Sequence, residues 1–438
     1  MSLKRLLVVS PHFPPVNAPD AHRVRVSLPY FREFGWEPVV LAVDPRRVPG
    51  TPDSRLAAAL PADVAVHRCG ALPRRLARLA GLGSLGPRAW WPLCTAGAGL
   101  LRRERFDLVF FSTTQFLTLA LGSVWKKKSG VPFVIDIQDP WRTDYYARPG
   151  APRPPGGWKY RFARWQAERL EEPSFRPASA FVSVSEAYLE QLRTRYSWFA
   201  TKPAAVVPFG ASEADFSFAQ NDATLKPAFQ REAGCVHLLS VGAAGPIMAE
   251  AAQTFFAGVR DFRAEQPELA GRLRIHFVGT SYASGSRAVA TVRPLAEPFG
   301  VGDLVIEQPA RIGYFESLKT MRAADALLLL GSNDPGYAPS KIAAYFLADR
   351  PMIAVVSAGG AAAARLAELR CACVVSPPAA GLRELRRFLT ALATVPARLQ
   401  IGSRNQTLFD AQFSARAGTR RLCELFDGTL EGRSGKND

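Results

Sequence analysis

A chain of 438 residues exceeds what one hydrophobic core normally holds, so two domains of roughly 200 residues each are expected. Apolar residues make up 48% of it, which excludes a largely disordered protein, and no apolar run approaches the roughly 18 residues that span a bilayer. The formal net charge of +17 is uneven, with 30 basic against 16 acidic residues up to Pro208 and 25 against 22 beyond it.

In chain order, the first half alternates strands with helices. The spacing predicts strands over Arg5 to Ser10, Pro38 to Val43, Leu108 to Phe111, Phe133 to Asp136, Ala180 to Ser183 and Ala204 to Val207. Their nearly continuous apolar character suits a parallel sheet covered on both faces. Helical patterns run over Asp20 to Phe34, Phe116 to Lys128, Lys159 to Glu172 and Glu186 to Tyr196. The chain enters its first strand and then Ser10-Pro-His-Phe-Pro-Pro15 almost at once, so no signal peptide is expected.

The basicity concentrates between Arg68 and Arg105, which holds eight arginines and one acid, Glu104, interleaved with leucines and with Trp90 and Trp91. Arg74, Arg75, Arg78, Trp90 and Trp91 are the candidates for an amphipathic surface facing anionic lipid, and a merely solvated arginine-rich exterior is the competing reading. Nucleic acid is the least favoured partner, because no motif that binds it accompanies the charge. The six cysteines lack the spacing of a zinc site or the density of a secreted scaffold, so reduced thiols and a cytoplasmic location are expected.

A polar stretch from Pro208 to about Glu232 reads as an interdomain connection, after which the alternation resumes. Strands are expected over Val236 to Val241, Arg274 to Val278, Leu304 to Glu307 and Ala326 to Leu330, with another from Met352; helices over Met248 to Ala264, Ser286 to Phe299 and Tyr314 to Ala323, with one starting near Pro339. A last helical pattern covers Asn405 to Phe426. The division is therefore 1–208, 209–405, a C-terminal helix over 406–426 packing back across the domains, and a polar tail over 427–438.

The segment D-A-L-L-L-L-G-S-N-D-P-G-Y-A-P-S-K-I-A-A-Y-F-L-A-D-R-P-M-I-A-V-V from Asp325 to Val356 is the most telling one. Its loop ends in Ser340 and Lys341 at a helix start, where free N–H groups, the helix dipole and an ammonium all favour an anion such as phosphate. The string resembles the donor-binding segment of the family-four-like glycosyltransferases. Leu7 to Pro15 followed by Ala21-His22-Arg23, Phe106 to Phe111, Phe133 to Trp141, Phe181 to Glu186, Val241 to Gly245 and Val278 to Tyr282 resemble further segments of that family in the same order.

The resemblance implies an α/β fold of two Rossmann-like domains facing a central cleft, the GT-B arrangement, and a glycosyltransferase. It also implies metal-independent, retaining transfer from a nucleotide diphosphate sugar, with no cofactor, to a saccharide or lipid-linked envelope or exopolysaccharide acceptor. The enzyme would then be cytoplasmic, or peripheral on the inner face of the cell membrane. Donor contacts would come from Gly242, Gly245, Gly279, Ser281, Tyr282, Asp334, Tyr337, Ser340 and Lys341, and acceptor or phosphate contacts from Pro15, His22, Arg23 and Arg142.

Lys341 and Asp139 are the catalytic candidates, the first stabilising the leaving diphosphate and the second orienting the acceptor or taking its proton. A turn cap ahead of Pro140 is the competing role for Asp139. This chain departs from the family pattern at Gly336 and Ala344, where a Glu-x7-Glu pair is common. A catalytically silent GT-B binding or scaffold protein is therefore the alternative function.

Overall fold

The computed structural model describes residues 3–50, 52–79, 82–143, 146, 154, 157–281, 288–332, 339–377, 381–395, 399 and 403–434. The chain forms two compact units, Met1–Phe209 with Ala415–Asp438, and Gly210–Ser414. Among the described residues no helix is long and apolar enough to cross a membrane.

The first unit is built on a parallel sheet of β1 (Lys4–Val9), β2 (Trp36–Val43), β3 (Ala65–Cys69), β4 (Leu108–Ser112), β5 (Phe133–Ile137), β6 (Ala180–Ser183) and β7 (Ala204–Val206). Its order is β3-β2-β1-β4-β5-β6-β7, with Leu6 opposite Leu108 across the central pair. Alternate residues of β1 enter two different cores: Leu7 and Val9 face one side, Leu6 and Val8 the other, and all four are fully buried. This two-sided burial is why the strands read as unbroken apolar runs.

The second core of this unit is closed by the C-terminal helix Ala415–Ser434, whose Phe426 packs against Trp36 and Phe110 with ring centroids 5.5 and 5.1 Å away. The Trp36 indole N–H donates to Asp427 at 3.0 Å. Burial of an aromatic side chain of this size is worth about 3 kcal/mol.

The second unit repeats the plan with β8 (Val236–Val241), β9 (Leu273–Val278), β10 (Val305–Gln308), β11 (Ala326–Leu330), β12 (Met352–Val355) and β13 (Cys373–Val375). The order β10-β9-β8-β11-β12-β13 reverses direction between β8 and β11, as that of the first unit does between β1 and β4. In open parallel sheets such a switch point opens a crevice at the carboxyl ends of the strands. Both units are thus Rossmann-like, and the fold class is α/β as expected.

Several helices differ from the sequence expectation. The pattern over Asp20 to Phe34 breaks into a short helix His22–Ser27 and a 3-10 turn Arg32–Phe34, with Pro29 between them. The helix expected over Ser286 to Phe299 reduces, within its described part, to Arg293–Ala296 and a 3-10 turn Glu297–Phe299, with prolines at both starts. The stretch read as a connection contains the helix Glu213–Asn221. The last pattern splits at Phe413 and Ser414 into Gln406–Gln412 and Ala415–Ser434, the latter running past Phe426.

Candidate functional site

In the second unit the carboxyl ends of β8, β9 and β10 and the start of the helix Lys341–Ala348 come together. Gly242 follows β8 with φ +100°, a conformation that favours glycine, and donates its N–H to the Val278 carbonyl at 2.8 Å. Gly279 follows β9 with φ +76° and donates to Gln308 at 2.8 Å; Ala244 donates to Thr280 and Ser281 to Pro309. The loops are therefore laced to one another through backbone bonds. The buried Tyr345 hydroxyl accepts from the Val241 N–H at 2.8 Å, which fixes the helix against the end of β8.

Lys341 is the first residue of that helix, and its Nζ lies 3.4 Å from the point where a Cβ on Gly242 would stand. A Cβ there would touch the ammonium at ordinary van der Waals distance, so it is the positive φ of Gly242 that calls for glycine. Lys341 is half-buried, and loss of solvation lowers its pKa to about 8. Among the described residues it has no carboxylate partner. An ammonium that is partly desolvated, free of any described carboxylate and set at a helix N-terminus is a ready counterion for a diphosphate.

Of the other donor candidates, Ser281 is buried beside this loop, Ser340 is exposed without capping the helix, and a Cβ on Gly245 would meet open space. Tyr282, Asp334 and Tyr337 lie outside the described residues. Two contributors went unnoticed in the sequence. The carboxylate of Glu307 accepts from the Thr280 hydroxyl at 2.5 Å and from the N–H groups of Thr291, Val292 and Arg293, while the Thr291 hydroxyl donates to the Ala244 carbonyl. Arg311 is exposed, and its Cα lies 3.8 Å from the point where a Cβ on Gly279 would stand.

In the first unit the switch point gathers a different set. His12, in the loop after β1, lies with Nδ1 2.9 Å from Asp20, and this nitrogen must be the donor because an ionised carboxylate only accepts. Asp20 also accepts from the hydroxyls of Thr113 and Thr114 and from the Thr114 N–H after β4. Burial pushes the Asp20 carboxyl up, but the His12 interaction and these donors hold it below its ordinary value. Asp139, just after β5, has its pKa raised to about 6 by the surrounding protein and by the charge of Asp20. Its side chain remains open to water, which tempers that shift.

Arg23 is buried, with Nε 2.8 Å from Asp136, an Nη2 hydrogen bond to the Val207 carbonyl at 2.7 Å and its guanidinium over the Phe209 ring. Burial pushes the Asp136 carboxyl up and the Arg23 guanidinium down. His22 is held by Asn17 and Arg25, and the Pro15 carbonyl accepts from the Asp53 N–H at the end of a loop containing the cis Pro14–Pro15 bond.

Arg142, with Trp141, lines a cavity of about 300 Å³ whose other walls include Gln115, Phe116, Tyr160 and Arg164. Trp141 stacks on Phe116 there with centroids 5.8 Å apart. In the arginine-rich segment, Arg74 and Arg75 are exposed and Trp91 is 67% exposed, whereas Trp90 packs partly against the core. The side chain of Arg78 lies outside the described residues. Arg88 is interior and donates to the carbonyls of Leu72 and Arg47.

Two parallel sheets of seven and six strands, each wound as a Rossmann unit, are the fold of the GT-B glycosyltransferases. Similar folds occur in a sucrose-phosphate synthase from Thermosynechococcus elongatus (TM-score 0.62, 14% identity, covering 98% of this chain and 100% of that one) and an α,α-trehalose 6-phosphate synthase from Burkholderia multivorans (TM-score 0.62, 14% identity, 100% and 99%). A glycosyltransferase from Rickettsia africae is similar at TM-score 0.60 and 13% identity, with 98% of this chain and 100% of that one covered.

Residues 21–210 match the family described as glycosyl transferase 4-like domain. No curated protein matches the sequence.

Proposed function

We propose that this glycosyltransferase moves a sugar from a nucleotide diphosphate sugar to an envelope or exopolysaccharide acceptor, saccharide or lipid-linked, with retention of anomeric configuration and without a metal. The observation that carries the reading is the Lys341 ammonium beside Gly242 at a helix start, unpaired with any described carboxylate. There it would neutralise the charge that develops on the departing nucleoside diphosphate, with the helix N–H groups assisting.

The loops after β8 and β9 would hold the nucleotide, held in shape by Glu307. The acceptor would enter the first unit near Asp139 and the cavity beside Arg142, where stacked Trp141 and Phe116 offer an aromatic wall to a sugar ring. The arginine excess of this unit favours an acceptor presented at the cytoplasmic face of an anionic membrane.

Calorimetry with a panel of nucleoside diphosphates and their sugars tests the donor site. Micromolar binding of at least one of them, lost in Lys341→Ala, is expected. Equal binding by both proteins would remove Lys341 from the mechanism. Transfer to a membrane-extract acceptor, unaffected by a chelator, separates the enzyme from a silent scaffold, which would bind the nucleotide sugar without consuming it.

A further inference from the structure

The helix Trp158–Phe175 of the first unit has two faces with different tasks. Tyr160, Ala163, Arg164 and Ala167, at helical spacing, line the cavity beside Arg142. Trp158, Phe162 and Trp165, spaced by four and three residues, lie on the opposite side and are 67%, 46% and 52% exposed. Phe162 and Trp165 stack on each other with centroids 5.8 Å apart, so the aromatic rings form one patch. Around them stand exposed cations: Lys159 over the Trp158 ring at 6.0 Å, Arg169 over Trp165 at 5.8 Å, and Arg161.

Three large aromatic side chains left in water on one helix face cost solvation free energy that a folded monomer recovers only by burying them elsewhere. We infer that this face docks the protein on an anionic lipid bilayer, with Trp158, Phe162 and Trp165 entering the interface and Lys159, Arg161 and Arg169 meeting lipid phosphates. Indole rings suit the boundary between headgroups and acyl chains, and a cationic rim suits an anionic surface. A second copy of the chain is a poorer occupant. Bringing two such patches together would set like charges against one another, and three aromatic residues are a fraction of the 800 Å² or so per partner that a stable dimer buries.

The inference rests on the proposed membrane-borne acceptor and gives it a geometry: one helix would touch the bilayer with one face and border the acceptor cavity with the other. It also moves the docking surface away from the Arg74 to Trp91 segment alone.

The test uses the full chain and vesicles of phosphatidylglycerol with phosphatidylcholine, against phosphatidylcholine alone. Wild type should sediment with the anionic vesicles, less so at high salt, and its tryptophan fluorescence should be quenched by brominated lipid. Replacing Trp158, Phe162 and Trp165 together by serine should weaken binding by more than about tenfold. Replacing Lys159, Arg161 and Arg169 by glutamine should weaken it by about a hundredfold. Unchanged melting and nucleotide binding in both variants would show that they remain folded.

Equal sedimentation of the serine variant and wild type overturns the inference, as does a dimer that the serine substitutions disperse without any vesicle binding. Retained nucleotide binding in a protein that ignores vesicles defeats the docking alone. Failure to bind any nucleotide defeats the proposed function itself.

Discussion

The ammonium of Lys341 stands 3.4 Å from the vacant Cβ position of Gly242, so a residue from the start of one helix fills the space that the end of β8 leaves open. Gly242→Ala would place a methyl group against that ammonium and force an alanine to φ +100°. The expected outcome is a loss of about 1–3 kcal/mol in stability from the strained φ, and a donor affinity at least about tenfold weaker if the loop after β8 shifts away from Lys341 to relieve it. Urea melts and calorimetry on the same protein measure the two effects. Unchanged affinity would mean that the lysine does not grip the donor from this position.

The depressed pKa of Lys341 makes a separate prediction, because a partly desolvated charge opposes folding. Below about pH 8 the lysine is protonated in both the folded and unfolded states, and the folded protein bears the whole cost of confining the charge. As pH rises from about 8 toward 10.5 the folded state releases its proton first, and this cost is relieved, so stability rises. Lys341→Met should therefore raise stability at neutral pH by up to about 3 kcal/mol and remove the rise at alkaline pH. A donor diphosphate beside the ammonium should restore its proton. Calorimetry at about pH 8.5 in buffers of different ionisation enthalpy should show proton uptake that vanishes near pH 6.5.

Asp139 predicts the acid limb of the rate profile. If it acts on the acceptor as an ionised base, kcat/KM should fall as pH drops through about 6, where its raised pKa lies. Asp139→Asn should lower the rate by about a hundredfold or more and abolish that limb. The Asp20 charge is one of the two causes of the shift, so Asp20→Asn should move the limb to lower pH while leaving Asp139 in place. An acid limb unmoved in Asp20→Asn and still present in Asp139→Asn would assign the titration to another group.

What the residues disclosed before any coordinates follows from how each element is buried. The β1 and β11 strands sit in sheet centres with both faces covered, so Leu6–Val9 and Ala326–Leu330 announce themselves as apolar runs. The β3 strand, Ala-Val-His-Arg-Cys, escaped because it lies at a sheet edge with most of its side chains exposed. The helix Leu85–Arg103 was hidden by Pro92 and by arginines that read as surface, although Arg88 is buried on carbonyl oxygens.

At the site, Ser340 and Lys341, adjacent at a helix start, were legible as an anion loop. Glu307 and Asp20 were not, since each gains its role only by meeting Thr280, or Thr113 and Thr114, across loops that the sheets bring together. The aromatic stripe from Trp158 to Trp165 was passed over because, in a sequence, an aromatic residue in a helix implies a core.

A last prediction concerns the second unit away from the candidate site. His237 Nδ1 and His276 Nε2 are 3.0 Å apart, both rings are buried, and Phe229 stacks on them with centroids 5.0 and 4.3 Å away. One ring can donate to the other only while the acceptor is neutral. Burial and the neighbouring His237 together lower the pKa of His276 to about 4, and burial lowers that of His237 as well. In the unfolded chain both titrate near 6.5, so between that value and about 4 the unfolded state binds more protons and stability falls as pH falls. For His276 this amounts to a loss of up to about 3 kcal/mol. Denaturant melts from pH 7 down to about 4.5 should show the decline in wild type and a shallower one in His276→Gln, which keeps a polar partner for His237 but cannot take up the proton. Parallel declines in the two proteins would show that the histidine pair does not govern the acid sensitivity of this unit.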